Sequence, residues 1–194
     1  MVGTKGASRG ASSDCASMRK TQHGFTLTEL VVTTAIIAIL MGIGVPSYRY
    51  VTTNNRVSAE INGLLGDLQF ARAEAIKEGR FVSVCATNDG KTCLGTAIWS
   101  GGWLVFSDAG VLGSVDGNDQ LLRVQKSLPS GDTLVADTAG FSVVTFNREG
   151  FARNMPGAVL LKLHDAKASA QYTRCMSITV VGALSTQKYG GGCT

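Results

Sequence analysis

The sequence predicts an α+β protein in which a long N-terminal helix, membrane-spanning in its first half, packs on an antiparallel, β-sandwich-like head. Three observations support this fold class. No charged residue lies between Leu30 and Tyr48. Apolar residues then recur at steps of three and four as far as Ala75, as in an amphipathic helix. From Arg80 onward the apolar period becomes two, and clusters of Gly, Asp, Asn and Ser separate the runs, as in short strands.

The first 24 residues differ in composition from the rest of the chain. Residues 1–17 are rich in Gly, Ser and Ala without a periodic apolar face, so we expect them to be disordered, or to precede the true start at Met18. Residues 1–24 carry four basic side chains and one acidic side chain, so the net charge of +4 falls to +1 without them. The overall basic balance therefore gives no argument for nucleic-acid binding.

Residues 25–48 have the length and composition of a membrane span. A helix rises about 1.5 Å per residue, so this run matches the roughly 30 Å hydrocarbon core of a bilayer. Arg19 and Lys20 precede the run and are expected on the cytoplasmic side, which places residues 80–194 outside the cytoplasm. A cleavable secretory signal has the same layout, but the end of this run contains no A-x-A cleavage site.

One carboxylate, Glu29, lies near the start of this run. A charged side chain next to lipid is costly unless it is paired, so the sequence predicts a partner for Glu29. Two partners are conceivable: a basic side chain on another helix, or the positively charged amino terminus of another copy.

The segment GFTLTEL around Glu29 resembles the processing motif of type IV pilins and type II secretion pseudopilins, G-F-T-L-x-E-L. The resemblance implies that a prepilin peptidase cuts between Gly24 and Phe25 and methylates the new amino terminus. It also implies that Glu29 pairs with the amino group of a neighbouring subunit's Phe25, and that Pro46 is the helix-bending proline of the family. The implied partners are other pilins or pseudopilins, the prepilin peptidase and an inner-membrane assembly platform.

Residues 49–79 are predicted to continue the helix as an amphipathic half that packs on the head. Its apolar stripe consists of Val57, Ile61, Leu64, Leu65, Leu68, Ala71 and Ala75. The helix is expected to end near Glu78, because Gly79 suits a C-terminal cap. Gly42, Gly44 and Pro46 weaken backbone hydrogen bonding, so bending or local melting is expected between the two halves.

Residues 80–194 form the predicted head, with two packed sheets or one strongly curved sheet. Seven segments show the apolar alternation of a strand: 80–86, 102–108, 120–126, 132–137, 141–147, 158–165 and 174–182. A head of this size is able to bury its own core.

Four cysteines remain after the leader: Cys85, Cys93, Cys175 and Cys193. An even number in an exported domain indicates disulfides, and four cysteines allow three connectivities. The turn signal Asn88-Asp89-Gly90 favours a Cys85–Cys93 bond, which leaves Cys175 for Cys193. A zinc site made of four thiolates is the alternative, and the absence of C-x2-C spacing and the oxidising compartment argue against it.

Four head segments together resemble the GspH/FimT family of minor pilins and pseudopilins. They are LQFARAEAIKEG, the Cys–Asn-Asp-Gly–Cys loop, WSGGWLVFSD and FNREGFAR. The resemblance covers nearly the whole mature chain. It implies the pilin-like fold, a long N-terminal helix with a β-sandwich-like head.

The head offers little for catalysis. His164 is the one histidine after the leader, and it lies in a strand-like segment where packing is its usual role. No serine has a nucleophile-elbow context and no cysteine is left as a free thiol, so the sequence predicts a protein that is not an enzyme and has no cofactor. The acidic segment 107–120 supplies oxygen donors for calcium but lacks an EF-hand's closing glutamate, which favours hairpin turns instead.

Basic residues are concentrated in the second part of the head. Residues 146–194 carry six basic and two acidic side chains. Some members of the resembled family bind DNA through basic residues near the C-terminus, which makes Arg148, Arg153 and Lys188 candidate phosphate contacts. An ordinary mixed surface is the favoured interpretation, because the C-terminal segment contains Lys188 and Tyr189 but no arginine cluster.

The sequence as a whole predicts a minor pilin of a type IV pilus, in its initiating or tip complex, with a contribution to DNA uptake as an additional hypothesis. Its predicted location is the bacterial inner membrane, with one span and a periplasmic head, and then the pilus itself. The alternative is a minor pseudopilin that acts in protein secretion by a type II system, since both share processing, fold and assembly.

Overall fold

The computed structural model describes residues 24–193, so the expectations for residues 1–17 lie outside the described residues. One helix, α1, spans Leu27–Glu78, which confirms the predicted long N-terminal helix. Gly79 follows it with a φ of 66°, a left-handed conformation that glycine adopts without strain at a helix C-terminus.

The backbone of α1 is helical through Gly42, Gly44 and Pro46, so the structure contains no melted segment there. Proline has no N–H, so Pro46 leaves the Gly42 carbonyl without its usual helical donor. The chain divides at this place into two compact units, residues 1–44 and residues 45–194.

Within the first unit, α1 carries apolar side chains that are exposed along its length. It is the one helix of the described chain that is long and apolar enough to cross a membrane, judged by length and composition. No residue of its most apolar window is buried against other parts of the protein.

As far as residue 193, where the described part ends, the second unit combines the rest of α1 with nine antiparallel strands and two single 3-10 turns. The strands are β1 Phe81–Ala86, β2 Trp103–Asp108, β3 Gln120–Gln125, β4 Thr133–Ala136, β5 Val143–Phe146, β6 Ala152–Arg153, β7 Val159–His164, β8 Arg174–Ile178 and β9 Leu184–Lys188. The 3-10 turns are Pro129–Gly131 and Ala170–Tyr172. One sheet has the order β3-β2-β1-β5-β6 and the other has the order β4-β7-β8-β9, so of the two predicted arrangements the structure has two sheets rather than one strongly curved sheet.

The core of this unit is shared by α1 and both sheets. The helix contributes its buried stripe: Val57, Ile61, Leu64, Leu68, Ala71 and Ala75. Strand β7 alternates, with Val159, Leu161 and Leu163 buried in the same cluster. Trp99 and Trp103 are also buried there. The period-3.6 face of the helix and the period-2 faces of the strands therefore meet in a single apolar cluster.

Strands β1 and β2 are buried on both faces, which explains why their sequences are almost continuously apolar. On the outer face, Cys85, Leu104 and Phe106 form a second buried cluster. Cys93 and Val115, from the two following loops, cover this cluster. The loops therefore act as a third layer over the five-stranded sheet.

Two strands were missed by the prediction of seven, β6 and β9. Strand β6 has two residues, too few for a pattern. Strand β9 is an edge strand whose burial is intermediate at Leu184 and exposed at the next four positions, so its sequence LSTQK shows no apolar alternation. The predicted strand 174–182 was too long, because the chain turns after Ile178 through a bond from the Gly182 amide to the Thr179 carbonyl.

Both disulfides are present, with Cα–Cα distances of 5.5 Å for Cys85–Cys93 and 5.6 Å for Cys175–Cys193. The first ties the 87–92 loop to β1. The second ties the C-terminal residues after β9 to β8. By the chain-entropy account, a loop of this size contributes about 3 kcal/mol for the second bond.

Replacing Leu64 by Ala tests the role of α1 in the head core. Leu64 is fully buried, so the variant is expected to lose about 2–5 kcal/mol of unfolding free energy. Leu65→Ala is the matched control, because the neighbouring side chain is partly buried and should lose clearly less. Denaturant unfolding of the full chain in detergent, followed by the near-ultraviolet signal of the buried tryptophans, measures both. Equal losses in the two variants would contradict the packing described here.

Candidate functional site

The candidate site begins just before α1, where the chain is non-helical and exposed. Gly24 and Phe25 precede the helix, and the Phe25 side chain is 79% exposed. A Cβ placed on Gly24 would meet no described atom within 4 Å. The Gly24–Phe25 peptide bond therefore lies in non-helical, accessible chain, which is the form of substrate that a peptidase cleaves.

Thr26 starts the helix as its N-cap. The Thr26 Oγ1 accepts a hydrogen bond from the Glu29 amide at 3.2 Å, and its carbonyl accepts one from the Leu30 amide at 3.2 Å. Thr26-Leu27-Thr28-Glu29 is thus an S/T-x-x-E capping sequence. This capping sequence was not part of the prediction above. It places the first helical residue at Leu27, two residues after Phe25.

The Glu29 carboxylate lies in the first turn of α1 and is exposed. A carboxylate there is favoured by the positive end of the helix dipole. Within residues 24–193, however, no ion pair involves it. The part of the chain that the structure describes therefore gives Glu29 a favourable field but no counter-ion.

Two threonine hydroxyls in the exposed span bond to the backbone of the helix. The Oγ1 atoms of Thr33 and Thr34 both donate to the Leu30 carbonyl at 3.0 Å. Such back-bonding removes the main cost of placing threonine among apolar groups. Apart from Glu29, the surface of this segment suits lipid or the apolar face of another helix.

The basic residues singled out in the head do not form one surface. Arg148 and Arg153 line a recess of about 230 Å³ together with Arg80. Arg148 is ion-paired with Glu149 at 2.7 Å, which raises the pKa of the guanidinium. Lys188 instead lies at the end of β9 opposite Arg174, where it lines a different recess. DNA contact by these residues stays a prediction.

The acidic segment after β2 uses its carboxylates to build turns. Asp116 accepts hydrogen bonds from the amides of Val111 and Asn118 at 2.9 and 2.8 Å, and these bonds lower its pKa. Asp119 accepts from the Ala109 and Asp116 amides. Among the described residues, no group of three or more His, Cys, Asp or Glu side chains is placed to hold a metal ion.

The remaining titratable groups singled out in the head have structural partners. Asp108 is buried, and burial raises its pKa; it accepts hydrogen bonds from the Ser83 hydroxyl and the Gly113 amide, both at 2.6 Å. The Nδ1 atom of His164 lies 3.0 Å from the Thr173 hydroxyl. These contacts connect neighbouring strands and loops.

Two family models match the chain. The model described as type II transport protein GspH matches residues 60–182, and the model described as a prokaryotic N-terminal methylation motif matches residues 19–45. The second match contains Gly24, Phe25 and Glu29. The first covers most of the second unit.

Individual relatives agree with these matches. Two fimbrial proteins of Pseudomonas aeruginosa are each 38% identical to the chain over 68 residues, which is 35% of this chain and 44% of theirs. The chain thus spans less than half the length of these curated relatives.

Two crystal forms of one solved structure give the same fold. The type IV minor pilin FimU of Pseudomonas aeruginosa superposes with a TM-score of 0.55 and 19% identity, over 73% of this chain and 93% of FimU. A second crystal form of FimU gives a TM-score of 0.50 over 71% of this chain and 92% of FimU, again with 19% identity. The minor pseudopilin EpsH of the Vibrio cholerae type 2 secretion system has a TM-score of 0.49 at 13% identity, over 70% of this chain and 99% of EpsH.

The GspH model covers well over half of the chain, and the methylation-motif model covers the start of the exposed helix. The chain therefore belongs to the GspH family, within the type IV pilin-like superfamily of minor pilins and pseudopilins.

Proposed function

We propose that this chain is a minor pilin that is cut by a prepilin peptidase between Gly24 and Phe25, methylated on Phe25 and assembled through α1 into a type IV pilus. Its place there is the initiating or tip complex. One observation carries the proposal: Glu29 has no counter-ion within the described residues, and it lies at the start of an apolar helix that is exposed throughout its first half.

Two sources of free energy support assembly through this segment. Each square ångström of apolar surface removed from water contributes about 25 cal/mol, so the exposed span has to remain in lipid or be covered by other apolar helices. A bare carboxylate among those helices is unfavourable. The amino group that cleavage exposes on a neighbouring subunit's Phe25 is a cation at the same depth, so pairing with Glu29 also sets the stagger between subunits.

The proposed organisation follows from the same physics. Residues 1–24 are the leader, residues 25–48 are the span and assembly segment, and residues 49–79 attach that segment to the head of residues 80–194. The span places the protein in the inner membrane with a periplasmic head before assembly. The peptidase, an inner-membrane assembly platform and other pilins are its proposed partners.

A minor pseudopilin of a type II secretion system is the second candidate. The description of the matching family model as a type II transport protein favours it. The same exposed span, Glu29 and capped helix start would serve a periplasmic pseudopilus equally well, so the two candidates differ in the filament that they join rather than in the chemistry of assembly.

Replacing Glu29 by Ala tests the role of the carboxylate. We expect normal removal of the leader but at least a tenfold loss of incorporation into sheared filaments, measured by immunoblot, because one subunit amine is left without its anion. Thr33→Val is the matched control in the same span, since it replaces a hydroxyl that donates only to the Leu30 carbonyl. Wild-type incorporation of the Glu29→Ala variant would refute the pairing.

Deletion in the native bacterium separates the two candidate functions. The pilus assignment predicts that surface pili and twitching are lost while secretion of exoproteins continues, and that the intact gene restores them. Loss of secretion with normal pili would support the pseudopilin instead. Loss of DNA uptake with intact pili would point to a receptor role for the head.

A further inference from the structure

A carboxylate on α1, away from the assembly segment, has no hydrogen-bond donor. Glu60 lies one turn after Val57 and one turn before Leu64, both of which are in the core. Its side chain is 8% exposed. Both of its oxygens are buried, and neither has a hydrogen-bond partner among the described residues. Leaving a buried charged group without a hydrogen bond is costly, so the Glu60 carboxylate demands an explanation.

The cation beside Glu60 is Arg56, which already donates two hydrogen bonds to another carboxylate. Arg56, one turn earlier on α1, donates from Nε and Nη2 to the two oxygens of Asp132, each at 2.8 Å. The distance from its Nε to Glu60 Oε1 is 3.7 Å, too long for a hydrogen bond. Asp132 follows the 3-10 turn Pro129–Gly131, and its side chain is completely buried. Both hydrogen bonds of the guanidinium fork therefore go to Asp132. Glu60 lies next to this pair without a hydrogen bond from Arg56.

Among the described residues, a third acid acts on Arg56 besides Asp132 and Glu60, but no second cation acts on Glu60. Asp165, which follows β7, adds to the negative potential at Arg56. Its own carboxylate accepts hydrogen bonds from the amide and hydroxyl of Ser169. Asp132 and Arg56 are the charged groups that act on Glu60 itself. One guanidinium is thus shared unequally between two buried carboxylates.

A proton on Glu60 would resolve this arrangement. Protonation removes one of two adjacent negative charges and turns Glu60 into a donor that can reach the Asp132 carboxylate. Burial is the main reason that the pKa of Glu60 rises from 4.5 to about 7; the neighbouring Asp132 carboxylate adds to the rise, and the charge of Arg56 opposes it.

We propose that Glu60, Asp132 and Arg56 form a proton-dependent clasp, in which protonated Glu60 donates to Asp132 and fastens α1 to the 129–132 segment of the head. Loss of that proton leaves two buried carboxylates sharing one guanidinium. The attachment of α1 to the 129–132 segment is then weaker. The clasp is a property of the head alone, so it stands whether the chain joins a pilus or a pseudopilus.

The direction of the pH dependence follows from linkage. Between pH 4.5 and about 7 the folded chain holds a proton on Glu60 that the unfolded chain has released. The unfolding free energy therefore falls as the pH rises through this interval. The full contribution of the clasp is present below the lower value and is lost above the upper one.

The test measures the denaturant unfolding of variants of the full chain in detergent at about pH 5.5 and about pH 8. Most of the expected titration of Glu60 lies between these two pH values. We expect the wild-type midpoint in denaturant to be lower at the higher pH. Glu60→Gln, whose amide can donate to Asp132 at both pH values, should abolish most of this difference and be at least as stable as wild type at the higher pH.

Two control variants keep the test specific. Glu74→Gln changes a partly buried glutamate that is paired with Lys77, and Asp108→Asn changes a buried acid elsewhere in the head. Glu74→Gln should retain the wild-type pH difference. The proposal is overturned if Glu60→Gln retains it as well, or if Asp108→Asn alone removes it.

A spectroscopic readout follows the proton directly. The ¹³C resonance of the Glu60 carboxyl, assigned by its absence from Glu60→Gln, should titrate with a midpoint near 7. Removing the Asp132 charge with Asp132→Asn should lower that midpoint if the variant folds. A titration midpoint of Glu60 at the ordinary glutamate value in the wild-type chain would contradict the proposed clasp. It would not affect the assignment of the protein to its family.

Discussion

The buried stripe on the second half of α1 is the interaction on which the head depends. Its six residues from Val57 to Ala75 close an apolar cluster that also contains the inner faces of both sheets. Without this stripe, the four-stranded sheet and the five-stranded sheet would each present a wide apolar surface to water, which soluble domains avoid. The helix is therefore part of the head's core, and the head cannot be considered apart from it.

The first half of the same helix has the opposite arrangement. Its apolar side chains are exposed and its one carboxylate has no partner within the described residues. A capped helix start at Thr26 makes this half a regular helix up to its exposed end, preceded by accessible chain at Gly24 and Phe25. The second half of α1 thus has its apolar stripe buried within the chain, whereas the first half requires lipid or other subunits. This division is the physical basis of the proposed assembly function.

Much of this arrangement could be predicted from the sequence because it depends on local periodicity. The apolar stripe fixed which face of α1 is buried, and Gly79 marked its end. Strand β9 could not be found in this way, because an edge strand with one neighbour needs no apolar alternation. The unusual environment of Glu60 could not be predicted, because Asp132 is distant in sequence and is brought near only by the fold. The separation of Lys188 from Arg148 and Arg153 likewise depends on how the two sheets pack.

The intact mass of the native protein tests the central claim most directly, since pairing between subunits requires a free amine on Phe25. The account predicts a chain of residues 25–194 that carries one added methyl group, with that group located on Phe25 by fragmentation. A mature protein that retains Gly24, or that begins at any residue other than a methylated Phe25, would contradict the account.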